Sequence, residues 1–220
     1  MRFRGLIFDF DGVLVESEYI GNRQIAEYLS AIGHPTSVEE SMREFMGLSG
    51  QDFLDAIERW IERPIPKGFH AARKAEDARA IAEGIEAVAG AVAFIESLPA
   101  DLPRAIASSS SPQWIEAHLD HLKLRHHFEP HIFSGTRDVA RGKPAPDIYL
   151  HAAAALAVPI DDMAIIEDSP VGVKGAVESG AFVIGLAAGN HCFDGHGDRL
   201  KALGAHAIAY SFDDIAKLVA

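Results

Sequence analysis

The sequence predicts an α/β protein: a doubly wound parallel sheet with a helical domain inserted after its first strand. Three observations carry that prediction. Short, continuous apolar runs recur along the chain, as in strands buried on both faces of a parallel sheet. Helical patterns alternate with the later runs. Between about Ser17 and Glu83 the alternation stops, and only helical patterns are found.

The first strand is Gly5–Phe10, whose run GLIFDF turns acidic at its end. Ile20, Ile25, Tyr28, Leu29 and Ile32 then keep roughly helical spacing up to Gly33. Ser37 and Glu40 form a capping-box pattern, and the helix they open stops at Gly47. Another helix follows Ser49, and one more runs through HAARKAEDARAIAE after the Pro64–Pro66 break. The sheet resumes with Arg104–Ser108, His131–Ser134, Met163–Glu167, Phe182–Leu186 and Ala207–Tyr210. Helices over Pro112–Leu122, Pro146–Ala157 and Pro170–Ser179 each begin with a proline, whose missing N–H is harmless in a first turn. Gly180 stops the last of them. The expected domains are residues 1–16 and 84–220 for the sheet and residues 17–83 for the helical insert.

Composition narrows the function. A chain of 220 residues, 48% of them hydrophobic, suffices for one full core or one core plus a smaller appended domain. The formal charge of -12, from 20 basic and 32 acidic residues, disfavours a polyanionic partner such as DNA or RNA. A small anionic substrate stays compatible, because charge within a pocket can oppose the net charge. No run of about eighteen apolar residues occurs, so no membrane span is expected. The interrupted apolar start MRFRGLIFDFDG argues against a signal peptide. The single cysteine, Cys192, leaves no internal disulfide and suits a reducing cytoplasm. It reads as an inert loop residue rather than a nucleophile. A cytoplasmic protein, monomeric or homodimeric, is the expectation.

In open α/β sheets, sites lie beyond the carboxyl ends of the strands. The first strand ends on Asp9-Phe10-Asp11-Gly12, the second on Ser108-Ser109-Ser110-Ser111 and the fourth on Glu167-Asp168-Ser169. Lys143, in GKPAPD, heads a helix after the third. Carboxylates crowded on one rim repel one another and take up protons unless a cation holds them. Oxygen-only ligands select a hard ion such as Mg²⁺. A lysine with hydroxyls alongside suits a phosphate oxygen.

These motifs resemble those of the haloacid dehalogenase-like phosphatases: a DxDG[VT] first motif, a strand-end Ser or Thr, a helix-borne lysine and a final acidic pair. Asp9, Asp11, Ser108, Lys143 and Glu167-Asp168 match all four, in order. GKPAPDIYL and IIEDSPVGVKGA resemble in particular the branch containing β-phosphoglucomutase and small sugar-phosphate phosphatases. The resemblance covers nearly the whole chain and is weakest in the helical insert, which corresponds to that branch's cap domain. It implies a Rossmann-like core, Mg²⁺ as cofactor and a small phosphorylated metabolite as substrate.

The resemblance also implies roles. Asp9 attacks phosphorus and forms an aspartyl-phosphate, while Mg²⁺ and Lys143 neutralise charge. Asp11 gives a proton to the leaving oxygen and later takes one from water. Ser108, Lys143 and backbone N–H groups around Asp11 and Ser109 hold the phosphoryl oxygens. Asp9, the Asp11 carbonyl and Asp168 hold the metal, and Glu167 is either a further ligand or an acceptor behind the ligands. Gly12 lets the backbone approach the substrate and turn away. Ser17, Leu48, Ser49 and Gln51 fall where relatives contact the non-phosphate end of the substrate. Few charged residues flank that loop, and no basic clamp for a second phosphate is evident, so a sugar or sugar-acid monophosphate is expected.

A β-phosphoglucomutase-type phosphomutase is the nearest alternative. Such mutases use a histidine early in the first cap helix and an arginine in the cap's substrate loop. Gly21 in SEYIGNR and Gly50 in FMGLSGQDF stand near those places, which favours a hydrolase. A dehalogenase lacks the second aspartate that Asp11 supplies. A phosphonatase needs a Schiff-base lysine, and Lys67 and Lys74 lie in no such motif. A non-catalytic regulator that binds a phosphorylated ligand would be free to lose Asp9 or Lys143. Arg141-Gly142-Lys143-Pro144 lacks the glycine spacing and following Ser/Thr of a Walker loop. Glu16 departs from the branch, which usually carries a shorter aspartate at this hinge into the cap.

Eleven histidines are present. His118 and His121 share a helical face, and His126, His127 and His131 follow. No cysteine or acid cluster there has ligand spacing, so a solvated helix and loop is expected rather than a zinc site. His191 and His196, in AAGNHCFDGHGD, follow the fifth strand and so fall on the catalytic-rim side. They either touch the edge of the metal site or a partner subunit, or they lie in a surface loop.

Overall fold

The structure, a computed structural model, describes residues 1–46, 48 and 50–220. The expected helix stop at Gly47 and the expected substrate contact at Ser49 lie outside the described residues. Strands β1 (Gly5–Phe8), β2 (Arg104–Ser108), β3 (Ile132–Ser134), β4 (Met163–Glu167), β5 (Phe182–Leu186) and β6 (Ala207–Ala209) form one sheet. Its order is β3-β2-β1-β4-β5-β6, and every pairing is parallel.

The chain packs into two compact units. Met1–Glu16 and Ile85–Ala220 make one, and Ser17–Gly84 the other. The first contains the sheet with α5 (Ala91–Ser97), α6 (Pro112–His121), α7 (Asp147–Ala155), α8 (Pro170–Ser179), α9 (His196–Ala202) and α10 (Phe212–Val219). Successive strand residues point to opposite faces. Ile7, Ile165 and Val183 join Tyr149 and Ala152 of α7 and Val173 and Ala176 of α8 in one core cluster. In the neighbouring register, Phe8 meets Phe94 at 6.3 Å and Phe128 at 5.9 Å, both edge-on. A sheet covered on both faces explains why its strands read as unbroken apolar runs.

The second unit holds α1 (Ser17–Ala31), α2 (Val38–Phe45), α3 (Gly50–Ile61) and α4 (Phe69–Glu83). Ile25, Leu29, Phe45, Ile57, Ile61 and Phe69 form its own core. The capping box closes as expected: the Glu40 N–H donates to Ser37 Oγ at 3.1 Å, and the Ser37 N–H to Glu40 Oε2 at 2.8 Å. Trp60 Nε1 donates to Thr36 Oγ1 at 3.0 Å and ties α3 to the turn before α2.

Three differences from the sequence reading have physical causes. β1 ends at Phe8 rather than Phe10, because the following residues fold into a tight turn. In that turn Leu14 N–H donates to Phe10 O and Gly12 N–H to Val15 O, each at 2.8 Å. Helices α5, α9 and α10 are absent from the predicted elements: α5 and α9, at seven residues each, are too short to display a 3.6-residue period, whereas α10 carries Phe212, Ile215 and Val219 at helical spacing behind the Ser211 cap. His118 is a correction. It is buried, not solvated, because Ile115, His118 and Leu119 make the inward face of α6. Its ring sits edge-on to Trp114 at 4.3 Å, and burial lowers its pKa.

Ile165, fully buried in β4, is the test of this packing. Ile165→Ala is expected to cost about 2–5 kcal/mol, read from the urea unfolding midpoint of the protein. A change under about 0.5 kcal/mol would be that of a surface position and would contradict the assigned core.

Candidate active site

The strand order reverses direction between β1 and β4, and it is at such a switch point that the carboxyl ends of neighbouring strands open a crevice. Phe8 pairs with Ile166, and the Asp9 N–H extends the ladder to Ile166 O at 3.0 Å. Asp9 is thereby set beside Glu167. Glu167 shares the face of Ile165, so its side chain points at α7 and α8. There Tyr149 Oη donates to Glu167 Oε1 at 2.7 Å. Gly172 of α8 leaves the space, since a Cβ at that position would collide with the Glu167 carboxylate.

Lys143, in the turn before α7, completes the group. Its Nζ lies 2.9 Å from Asp9 Oδ1 and 2.5 Å from Glu167 Oε1, with 4% of the side chain exposed. Burial pulls the Lys143 pKa down, but the Asp9 and Glu167 carboxylates outweigh it, and the net shift is upward. Burial raises Glu167 as well, yet Lys143 and the Tyr149 hydroxyl reverse that and hold it below its ordinary value. Asp9 shows the opposite balance: burial, Glu167 and Asp168 push it well up, against Lys143.

Asp9, Glu167 and Asp168 each offer a carboxylate oxygen, all within 4.8 Å of one another. Glu167 is already fully engaged, because Ser169 N–H and Oγ both donate to its Oε2 at 3.1 Å. Asp168 is different. Its Oδ2 meets His191 Nε2 at 2.9 Å, while its buried Oδ1 has no hydrogen-bond partner among the described residues. Leaving a buried carboxylate oxygen without a donor is costly, and an oxygen-seeking cation removes that cost. The donor set, carboxylates alone, fits a hard divalent ion.

A second group forms around Asp11. Ser110 Oγ donates to Asp11 Oδ2 at 2.5 Å, Trp114 Nε1 donates to Oδ1 at 2.9 Å, and Ser108 Oγ lies 3.4 Å from Oδ2. The local sequence builds this arrangement. Ser111 caps α6 by accepting from the Trp114 N–H at 3.3 Å, which puts the indole in the first turn. Ser134 on β3, paired with Ser108, donates to Ser110 O at 2.6 Å and fixes the loop. Gly12 is required by its φ of 74° and by the Asp168 carboxylate, which a Cβ would strike. Its N–H donates to Val15 O, so Gly12 supplies shape rather than a hydrogen-bond donor.

The sequence-predicted residues thus fall into two adjoining sets, Asp9, Lys143, Glu167 and Asp168 in one, with Gly12 against Asp168, and Asp11 and Ser108 in the other. The Asp11 carboxylate belongs to the serine and tryptophan set, not to the three-carboxylate cluster. Ser109 is exposed. Ser17 opens α1 and exposed Gln51 lies on α3, where its Nε2 donates to Asp55 at 2.6 Å. Sequence reasoning missed Ser110, Trp114 and Tyr149. The run of four serines concealed which hydroxyl faces Asp11. Tyr149 stood inside the quoted GKPAPDIYL, six positions after Lys143, where an aromatic reads as core. His191 and His196 lie at the cluster rather than in a surface loop: His196 Nε2 is 2.7 Å from Asp168 O. Cys192 is pushed up to about 12 by burial, which leaves the thiol protonated and unreactive.

Comparison with known proteins gives a consistent assignment. The family model of haloacid dehalogenase-like hydrolases matches residues 3–180. The 6-phosphogluconate phosphatase of Escherichia coli K12 is 29% identical over 192 residues, spanning 86% of this chain and 85% of its own. A conserved haloacid dehalogenase-like protein of Agrobacterium tumefaciens superposes with a TM-score of 0.90 at 32% identity, covering 99% of this chain and 97% of that one. A hydrolase of the same family from Deinococcus radiodurans, solved with bound phosphate and sodium, gives 0.85 at 29% identity, covering 99% and 95%.

The Lys143 contacts make a stability prediction. Lys143→Met leaves Glu167 buried without its cation and is expected to destabilise the protein by about 3–5 kcal/mol in urea unfolding at neutral pH. Adding Glu167→Gln to that variant should recover part of the loss. If the single variant unfolds like the parent, the buried ion pairs carry no such weight.

Proposed function

Because the chain belongs to the haloacid dehalogenase-like hydrolases and is a phosphoric monoester hydrolase, we propose that it hydrolyses a small phosphorylated metabolite, a sugar or sugar-acid monophosphate, through an aspartyl-phosphate on Asp9 with Mg²⁺ as cofactor. The observation that carries this reading is the buried cluster of Asp9, Asp168 and Lys143, with Asp168 Oδ1 lacking a donor among the described residues. The 6-phosphogluconate phosphatase relative and the phosphate held by the Deinococcus hydrolase support the substrate class.

Asp9, Asp168 and the Asp11 backbone carbonyl would hold the ion. Bound there, it supplies positive charge that lets an anionic carboxylate approach an anionic phosphate. Glu167, its oxygens occupied by Lys143, Tyr149 and Ser169, acts as the anchor of the lysine rather than as a ligand. Asp9 Oδ1 accepts from Lys143 Nζ and, at 2.7 Å, from the Phe10 N–H, which fixes the carboxylate plane.

The reaction then divides into two displacements. An Asp9 oxygen bonds to phosphorus as the ester P–O bond breaks, and Asp11 gives its proton to the departing alkoxide. Water next attacks the phosphoryl group, Asp11 takes its proton, the bond to Asp9 breaks and phosphate leaves. Lys143 and Ser108 stabilise the phosphoryl oxygens through both steps. Ser110 and Trp114 keep the Asp11 carboxyl oriented between them. Ser17, Ser49 and Gln51 are the proposed contacts to the rest of the substrate.

A panel of phosphorylated metabolites assayed with Mg²⁺ tests this. Release of inorganic phosphate from sugar or sugar-acid monophosphates is expected, lost on chelation and restored by Mg²⁺. Asp9→Asn should lower kcat by at least about 1,000-fold, as removal of a nucleophile does elsewhere. Acid-quenched enzyme should carry one phosphoryl group on Asp9 by mass spectrometry. Turnover of phosphoproteins or phosphonates alone, a phosphate merely moved on the sugar, or an active Asp9→Asn variant would each overturn the proposal.

A further inference from the structure

The segment between β5 and α9 takes no part in the reaction above, yet it is fastened to the proposed cation-binding carboxylate. Glu16 Oε2 accepts from the Asn190 N–H at 2.9 Å, and so holds the loop at the end of the β1 turn. His196 Nε2 is 2.7 Å from the Asp168 backbone oxygen. His191, 1% exposed, brings Nε2 to 2.9 Å from Asp168 Oδ2. Its ring is wedged between two backbones: a Cβ at Gly189 would come within 2.6 Å of it and one at Gly12 within 3.0 Å.

A carboxylate on a short side chain turns readily about its last bond, because that torsion is broad. With neither oxygen held, Asp168 would offer a cation a spread of orientations and would lose entropy on binding it. A donor on Oδ2 removes that freedom and leaves Oδ1, the oxygen without a donor among the described residues, for the ion. With the cation bound Asp168 is ionised, and its carboxylate is then a stronger acceptor than the Cys192 sulfur, 3.4 Å from the same nitrogen, so the Nε2 proton belongs to Asp168. We infer that His191 is a positioning residue that selects which Asp168 oxygen faces the divalent cation and thereby sets the affinity for that cation. The inference rests on the reading of Asp168 as a cation ligand.

Calorimetric titration with Mg²⁺ alone, on the full chain, separates the two. Wild type should bind Mg²⁺, Asp168→Asn should lose binding, and His191→Phe should bind about 10–100-fold more weakly, as when a ligand's hydrogen-bond partner is removed. His191→Gln, whose amide can donate to the same oxygen, should recover most of the affinity. In turnover, the Mg²⁺ requirement of His191→Phe should rise far more than kcat falls at saturating Mg²⁺. Equal affinity in His191→Phe and wild type overturns the inference and leaves Asp168 as a ligand. Mg²⁺ binding that survives Asp168→Asn removes both. If His191→Phe does not fold, nitrogen NMR of the wild-type imidazole decides. An Nε2-protonated ring whose signals move on Mg²⁺ addition is expected, and a ring protonated at Nδ1 with Nε2 bare overturns the inference.

Discussion

Lys143 stands between two buried carboxylates, and the arrangement of the rim depends on that contact. Asp9, Glu167 and Asp168 are each under 10% exposed and lie within one small volume. Ionised together in a medium of low dielectric, they would repel strongly, and protonation would be the cheaper state. The ammonium group removes part of that repulsion by taking Asp9 and Glu167 at once. Burial first, and then the remaining charge imbalance, push Asp9 and Asp168 upward, while Glu167, most tightly bound to the lysine, stays below its ordinary value. With one positive charge for three acids, the rim has the charge balance that the proposed divalent cation would complete.

The backbone had to be shaped for that density of charge. Parallel strands β1 and β4 deliver Asp9 and Glu167 side by side by register alone. Bringing Asp168 against the β1 turn needs a residue without a side chain at Gly12, and seating Glu167 against α8 needs another at Gly172. Ser169 then acts twice, capping α8 through its accepted bond from the Gly172 N–H and donating to Glu167. Helix start, glycine contact and carboxylate anchor are thus one local solution, in which a change at any member moves the others.

Much of this was legible in the sequence, and the parts that were not share a cause. Periodicity revealed the parallel sheet because two-sided burial leaves runs such as MAIIE with no polar interruption before the functional acid. The motif acids and Lys143 stood out because charge at the end of an apolar strand is out of character. Trp114, Tyr149 and His118 were hidden because aromatic and histidine side chains on helices look alike whether they pack, donate or do both. Glu16 was visible as a departure at a hinge, but its partner, the Asn190 N–H, is a backbone group that no residue pattern can announce.

The opening DFDG of the chain places two aspartates two positions apart, and their surroundings diverge at once. Asp9 is buried among full charges, with a lysine on one oxygen and carboxylates nearby. Asp11, past the end of the strand and only partly buried, is held by neutral donors, a serine hydroxyl and an indole. Environments that differ in this way push chemically identical groups toward different tasks. Under the proposed reaction, the residue among full charges makes the bond to phosphorus, where a neighbouring cation offsets the charge of an attacking anion. The residue among neutral donors carries the proton, since a serine and an indole can accommodate the carboxyl group in either state. In an extended strand both aspartates would share a face, but the chain leaves the strand after Phe8 and enters the turn at Phe10, so Asp11 meets Ser110 and Trp114 while Asp9 stays with the charged cluster, and that bend gives an acid and a nucleophile their separate surroundings.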